Sequence, residues 1–469
     1  MQRPLPIARG RYRKVVTSSL DAGPGDLFVA LIGARDGHEF VAAAITAGAT
    51  GVVVSEDVEV PDHIDVYRVD DTLEAMRTLA REVRQGTAAD VLAITGSVGK
   101  TTTKDVLAHV LATLGRNTLS SPKSFNNHLG VPLTLLMLDG HDDLVAEVGT
   151  NHPGEIADLA ALIAPRAALV TNIGHAHLGN FASREDLADE KASLFNAVQP
   201  GGVWFVNADD ELLRGAVGRL DKPDGIRVIT YGTAEGADVR ATDVVVDEHG
   251  TSGNLSVGGE TVPFRIPLIG RHFASTAAAS TAVAVERGLD LGAAAKALAT
   301  FPGSVGRAAV TLRGNLRVID DSYNGSPDSM LAALETLATM PEQRRFAVLG
   351  EMRELGDWSD ALHEAVGTKV GSSTTDLIFI GPSYRIVRDG AIAAGLSADR
   401  IHPAESATHA ARILETLLTD EPTAVLVKGS RFVHTERVAL ALEGLTVKCE
   451  LAVCELYIHC RTCPKLSAD

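Results

Sequence analysis

Ile94-Thr95-Gly96-Ser97-Val98-Gly99-Lys100-Thr101-Thr102-Thr103-Lys104 is the stretch on which the reading of this chain turns. An apolar run, Val91 to Thr95, leads into it. Val106, Leu107, Val110, Leu111 and Leu114 follow at the spacing of one helical face. The pattern predicts a strand, a glycine-containing turn and a helix that stops at Gly115. Glycines let such a turn curl so that its N–H groups face an anion, and the helix N-terminus adds positive potential. Gly96, Ser97, Gly99, Lys100, Thr101 and Thr102 are therefore expected to cradle nucleotide phosphates. Lys100 would reach the terminal phosphates and Thr101 would ligate Mg²⁺. The match is shorter than the usual phosphate loop, since Ile94 stands where a first glycine belongs. Such a loop does not name a reaction, because GTPases, kinases and motor ATPases share it.

Outward from the loop, short apolar runs alternate with helical patterns, which predicts α/β layering. Before it, Leu27 to Leu31 and Gly51 to Val54 read as strands around an Ala-rich helix from Glu39 to Ala47, and a polar linker spans Arg84 to Ala89. After it, buried strands are expected at Leu144–Val148, Ala168–Asn172 and Val203–Asn207. The stretch from Arg227 to Ile269 alternates β-branched residues with glycine turns and predicts a small antiparallel sheet closing the central unit. A helix from Ala274 to Arg287 follows. Strands at Leu316–Ile319, Phe346–Leu349, Leu377–Ile380 and Ala424–Val427 then mark a second nucleotide-fold-like α/β unit. The expected domains are residues 1–86, 87–301 and 302–446, with a tail at 447–469.

Bulk properties narrow the class. At 469 residues, the chain is too long for one ordinary core. Its 45% hydrophobic and 22% charged residues are those of a globular protein. A net charge of −17, from 43 basic and 60 acidic residues, argues against a nucleic-acid-binding surface. The N-terminus is basic (Arg3, Arg9, Arg11, Arg13, Lys14), but no long apolar run follows. No signal peptide or membrane span is expected, and the chain reads as cytoplasmic. All four cysteines, Cys449, Cys454, Cys460 and Cys463, fall in the tail, which excludes a disulfide framework for the whole fold.

Further blocks add to the loop. Ser124-Phe125-Asn126-Asn127 leads into Gly130-Val131-Pro132-Leu133-Thr134. Glu147-Val148-Gly149-Thr150-Asn151-His152-Pro153-Gly154-Glu155 is followed by Thr171-Asn172-Ile173-Gly174-His175-Ala176-His177-Leu178 and by Lys191. Asp320-Asp321-Ser322-Tyr323-Asn324, Pro327-Asp328-Ser329-Met330, Leu349-Gly350-Glu351-Met352, Glu354-Leu355-Gly356 and Lys428-Gly429-Ser430-Arg431 complete the series. In order and spacing these blocks resemble the Mur ligases of peptidoglycan synthesis, over roughly Gly25 to Leu442. The resemblance implies three domains: an N-terminal UDP-sugar-binding α/β domain, a central ATPase domain with a parallel sheet, and a C-terminal Rossmann-like domain.

The activity implied is amide-bond formation driven by ATP through an acyl-phosphate. The substrates implied are a UDP-linked muramoyl tripeptide and D-alanyl-D-alanine, and a monomer is expected. A related ligase with another substrate and a noncatalytic nucleotide-binding paralogue are the competing readings. By the same resemblance, Thr101 and Glu147 hold one Mg²⁺ and His177 helps ligate a second. Lys191 matches the lysine that the family carbamylates, which turns an ammonium into an anionic metal ligand. Asp321 matches a ribose-binding acid, and Asn324, Arg307 and His272 match positions near the nucleotide. Asn126, Asn127 and Thr134 lie where the family contacts the UDP-sugar peptide. An Asp-Ser-Arg triplet belongs at Ser18-Ser19-Leu20, of which only Ser19 matches.

The residues themselves leave alternatives open. Glu147 also reads as a helix cap, Lys191 as a surface lysine in a charged run, and Asp320-Asp321 as a helix N-cap and its neighbour. His152 and His175 compete with His177. Lys428 and Arg431 could bind the dipeptide carboxylate, support the nucleotide or cap a strand end. In the tail, the four cysteines with His459 form a set that could hold Zn²⁺ or remain as reduced thiols.

Overall fold

A computed structural model describes residues 11–33, 35–449, 459–463 and 466–468. Arg3, Arg9 and Cys454 lie outside the described residues. Three main sheets organise the chain, and each arises from buried β-branched or aromatic runs that helices cover. The first is parallel, with strands Val15–Val16, Leu27–Val29, Gly51–Val54 and Asp65–Arg68 side by side. Phe28, Val52 and Val54 pack on one face with Val41 and Ala44. Leu27, Val53 and Tyr67 pack on the other with Met76 and Leu79 of the Thr72–Gln85 helix. Asp71 caps that helix by accepting from the N–H groups of Leu73 and Glu74.

The second sheet has nine strands. Asp90–Thr95 lies between Asp143–Glu147 and Ala167–Val170, and Thr118–Ser120 forms one edge. Beyond Ala167–Val170 come Val203–Asn207, Arg227–Gly232, Val239–Asp247, Gly250–Val257 and Glu260–Ile266. The separate small sheet expected from Arg227 to Ile269 is not formed. Arg227–Gly232 instead pairs in parallel with Val203–Asn207, and the antiparallel strands continue the same sheet. The reason is the Phe273–Glu286 helix. Its Ala-rich face covers Tyr231, Ala241, Leu255 and Phe264 together with the strands beside the loop, so one apolar layer spans both halves.

The third sheet runs Ala309–Arg313, Leu316–Asp320, Thr423–Lys428, Arg344–Gly350, Asp376–Ile380, Ile401–Ala404. All pairs are parallel except the first. Thr423–Lys428 sits between two strands that come earlier in the chain, so the strand order reverses there. The carboxyl ends at such a reversal point are where open α/β sheets bind ligands. Two edge strands, Ala309–Arg313 and Ile401–Ala404, lie outside the expected set. The first is largely exposed, and the second carries Pro403, so neither shows a buried apolar run. Among the described tail residues, Leu466–Ala468 pairs antiparallel with Leu445–Val447. No helix among the described residues is long and apolar enough to cross a membrane.

Candidate active site

The turn after Asp90–Thr95 has the shape its glycines permit. Gly96 has φ +146°, and a Cβ there would lie 1.9 Å from Thr171 Oγ1. Gly99, at φ +81°, opens the Lys100–Thr113 helix. The turn is latched to the end of the neighbouring strand. Ser97 N–H donates to the Asn172 carbonyl (2.9 Å), and Val98 N–H donates to Asn172 Oδ1 (2.9 Å). Thr171 Oγ1 returns a hydrogen bond to the Val98 carbonyl (2.7 Å). Lys100 Nζ folds back to donate to the Gly96 carbonyl at 2.7 Å. Burial, with Arg307 adding to it and Glu147 opposing, holds the Lys100 ammonium below the ordinary lysine value.

Behind the turn lies a buried oxygen-rich corner. Thr101 Oγ1 donates to Glu147 Oε2 (2.8 Å), and Asn126 Nδ2 donates to Glu147 Oε1 (2.8 Å). Lys104 Nζ, 4.0 Å from Glu147, donates to the Ser121 and Lys123 carbonyls, each at 2.6 Å. Lys191 is 1% exposed, at the end of the Arg184–Ala192 helix. Burial and then the Lys100 charge hold its ammonium well below the ordinary lysine value, with Glu190 opposing. The surface-lysine alternative is thereby removed. Glu190 is engaged elsewhere, accepting from the N–H groups of Gly154 and Ile156.

The six-stranded sheet supplies the opposite wall. At its reversal point Lys428 Nζ donates to Asp321 Oδ2 (2.5 Å) and to the Asn324 carbonyl (2.9 Å). Arg307 stacks over the Tyr323 ring at 4.1 Å, and Tyr323 Oη meets Ser124 Oγ across the gap at 2.6 Å. His175 bonds Asp328 twice, through its backbone N–H (2.6 Å) and through Nδ1 (2.8 Å). His177 Nδ1 lies 2.5 Å from Glu354 Oε2. Between the walls is a cleft of about 1120 Å³.

The cleft brings together Ser97, Gly99, Lys100, Thr101, Thr102, Asn126, Asn127, Glu147, His177, His272, Arg307, Asp321, Asn324 and Lys428. Other expected residues lie elsewhere. Thr134 is buried and donates to the Gly130 carbonyl within its own helix (2.8 Å), because a hydroxyl in a helix interior finds the carbonyl four residues back. Ser19 lies in the turn after the first strand, away from the cleft lining. Arg431 pairs with Glu436 at 3.2 Å, its cation 5.7 Å from the Tyr323 ring centre. Lys191 sits behind the cleft wall rather than on its lining. Among the described residues, Glu147 and His177 do not join a third His, Cys, Asp or Glu in a compact ligand cluster. Asp328, Glu354, Tyr323 and Asn172 are site residues that the sequence reading did not single out, although each lies inside one of the quoted blocks.

The tail thiols do not converge among the described residues. Cys460 is buried beside His434 and Glu436, while Cys449 and Cys463 stand apart from that group.

A P-loop sheet facing a Rossmann-like sheet across a nucleotide-sized cleft defines a class of ATP-dependent ligases. The Mur ligase middle domain matches residues 94–284, and the Mur ligase, glutamate ligase domain matches residues 306–431. The chain belongs to the Mur ligase family, and is an ATP-dependent, ADP-forming amide ligase of three-domain architecture. It is 36% identical to the UDP-N-acetylmuramoyl-tripeptide–D-alanyl-D-alanine ligase of Escherichia coli (strain K12), over 92% of this chain and 93% of that one. It is 38% identical to the ligase of the same name from Mycobacterium tuberculosis (strain H37Rv), over 80% and 79%. Among solved structures it is similar to MurF from Acinetobacter baumannii, with TM-score 0.81, 30% identity and coverage of 91% and 92%. It is also similar to MurF from Thermotoga maritima in complex with ADP, with TM-score 0.79, 27% identity and coverage of 92% and 96%.

Proposed function

We propose that this chain adds D-alanyl-D-alanine to a UDP-N-acetylmuramoyl tripeptide in peptidoglycan precursor synthesis. The observation that carries the reading is the single cleft in which the Lys100 turn, the Thr101–Glu147 pair and the Asp321–Lys428 pair face one another. Relatives that carry this name match nearly the whole chain.

The reaction moves the γ-phosphoryl group of ATP to the tripeptide carboxylate. The P–O bond to ADP breaks, a carboxyl oxygen–phosphorus bond forms, and the dipeptide amine then attacks the acyl carbon and expels phosphate. Two anions must approach, so the site has to offset their repulsion. In this reading Lys100 leaves the Gly96 carbonyl to meet the terminal phosphates, and the backbone N–H groups of residues 99–101, at the start of the helix, hold the remainder. Arg307 faces Lys100 from the opposite wall and adds positive charge where the phosphoryl group passes. Asp321, held by Lys428, is placed to accept from a ribose hydroxyl, with Asn324 and His272 beside it.

The Thr101 hydroxyl and the Glu147 carboxylate fit a hard divalent cation: both are oxygen donors, buried, adjacent and already oriented. Mg²⁺ held there would screen the phosphate charge. His177 reaches the cleft from the loop after Ala167–Val170 and is assigned to a second cation, for which it must exchange Glu354 for the metal. Lys191 fits carbamylation, since burial and the Lys100 charge favour the neutral amine, the form that is nucleophilic toward CO₂. Asn126 and Asn127 are assigned to the UDP-sugar peptide, as is Ser19 on the first domain.

We place the domain limits at residues 1–86, 87–301 and 302–446, in keeping with the three sheets, and read the chain as a cytoplasmic monomer acting on soluble nucleotide-linked substrates. The test is to incubate purified protein with ATP, the muramoyl tripeptide and D-alanyl-D-alanine, following phosphate release and product mass. Stoichiometric phosphate and pentapeptide are expected. Phosphate release only with a different acceptor would transfer the reading to a related ligase.

A further inference from the structure

Three side chains that the ligase reaction does not use meet beneath the helix Glu436–Leu442. His434 and Glu436 precede and open that helix, and Cys460 arrives from the tail. They are 3%, 0% and 4% exposed, and their ligand atoms all lie within 4.8 Å of one another. His434 Nδ1 is 3.3 Å from Glu436 Oε1 and 3.8 Å from Cys460 Sγ. A tetrahedral zinc site, with Zn–S of roughly 2.3 Å and Zn–N and Zn–O of roughly 2.0 Å, sets N···O near about 3.3 Å and N···S near about 3.6 Å. The Nδ1···Sγ separation is near that of a ligated pair, and the Nδ1···Oε1 distance sets the Glu436 carboxylate beside it.

A further observation points to a missing partner. Glu436 Oε2 is fully buried and has no hydrogen-bond partner, although a buried carboxylate oxygen ordinarily has one. Glu436 Oε1 is meanwhile fixed by Arg431 at 3.2 Å and by the Cys460 N–H at 3.2 Å, which leaves Oε2 as the free oxygen. One thiol, one imidazole and one carboxylate suit zinc better than magnesium or calcium, which prefer oxygen.

We propose that His434, Glu436 and Cys460 form a transition-metal site that takes Zn²⁺ and fastens the C-terminal tail to the segment 431–437. This set differs from the four-cysteine set suggested by the tail spacing, since only Cys460 is common to both and two of its ligands come from before the tail. On binding, Cys460 loses its proton to solvent and coordinates as the thiolate, while His434 exchanges its hydrogen bond with Glu436 for the metal. The proposal stands independently of the ligase reading.

The experiment is to strip the full-length protein with chelator, return Co²⁺ or Zn²⁺ alone, and read the thiolate-to-cobalt charge-transfer band, the metal retained after desalting and the Tm. Magnesium-type sites in the cleft contain no cysteine, so the band reports a thiolate site outside the cleft, and the variants below tell which thiol forms it. One Zn²⁺ per chain, a Co²⁺ band and a rise in Tm on adding Zn²⁺ are expected. Cys460→Ser abolishes the band, His434→Asn weakens retention at least tenfold, and Cys463→Ser leaves both intact. Absence of any band in the wild-type chain would overturn the proposal, and that holds even if Cys460→Ser fails to fold. A band that survives in His434→Asn but disappears in Cys463→Ser would overturn it in favour of a site built from the tail cysteines.

Discussion

The Thr101 hydroxyl donates to Glu147 Oε2 across 2.8 Å, and so joins the first turn of the helix after the phosphate loop to the end of the adjacent strand. Asp90–Thr95 and Asp143–Glu147 are hydrogen-bonded neighbours, with Ile94 opposite Glu147. The sheet register therefore fixes the pair before any ligand arrives. Glu147→Gln keeps the shape but turns one accepting oxygen into a donating amide and removes a charge that a cation needs. A fall in kcat of about 100-fold or more is expected, with higher Mg²⁺ needed for half-maximal rate. An unchanged Mg²⁺ titration would place the cation elsewhere.

Lys191 gives a pH signature. Its ammonium is held well below the ordinary lysine value by burial and then by Lys100. The neutral amine that captures CO₂ prevails above that lowered value and is lost as pH falls through it. Activity of protein depleted of bicarbonate is therefore expected to fall on acidification and to recover, at least in part, when bicarbonate is added. Lys191→Ala should be inactive and insensitive to bicarbonate. Full activity of Lys191→Ala would remove the carbamate from the account.

Much of this was legible in the sequence, for identifiable reasons. The strands Asp90–Thr95, Val203–Asn207 and Thr423–Lys428 are buried apolar runs bounded by turn residues, so their pattern survives any tertiary context. The loop was legible because its glycines and Lys100 are local in sequence. What stayed hidden depends on contacts between distant segments. Nothing near Arg227–Gly232 says that it will align in parallel with Val203–Asn207, since the shared cover comes from the Phe273–Glu286 helix. Thr134 fits a binding motif, yet its helix turns the hydroxyl inward to Gly130. Asp328 and Glu354 gain meaning only when the two sheets face each other and His175 and His177 find them.

The His175–Asp328 contact couples the two walls. Burial acts against ionisation of Asp328, but its hydrogen bonds with the His175 side chain and backbone hold it below the ordinary carboxylate value. The stabilisation is present above the unfolded pKa, roughly 3.9, and is lost as pH falls through the lower folded value. Because both side chains are partly exposed, a double-mutant cycle of His175→Ala and Asp328→Ala should show coupling of about 1 kcal/mol at neutral pH. It should vanish in strong acid. Additivity at neutral pH would mean that the walls are held by other contacts.

Gly96 tests the shape of the loop. Gly96→Ala demands φ +146° of an alanine and places its Cβ 1.9 Å from Thr171 Oγ1. A loss of order 1–3 kcal/mol in stability is expected, together with weaker ATP binding. Thr171→Ser leaves the hydroxyl in place and should not rescue the variant, whereas Thr171→Ala should relieve part of the clash. Wild-type nucleotide affinity in Gly96→Ala would show that the loop does not form the cradle described.

The central claim is that the Lys100 turn and the cation corner behind it let a phosphoryl group pass from ATP to a carboxylate. The most direct measurement is ADP formation by Lys100→Ala, with ATP, Mg²⁺, the muramoyl tripeptide and D-alanyl-D-alanine all saturating and the fold verified by circular dichroism. A rate at least a thousandfold below wild type is expected, whereas ADP formation near the wild-type rate would show that Lys100 and its turn do not carry phosphoryl transfer.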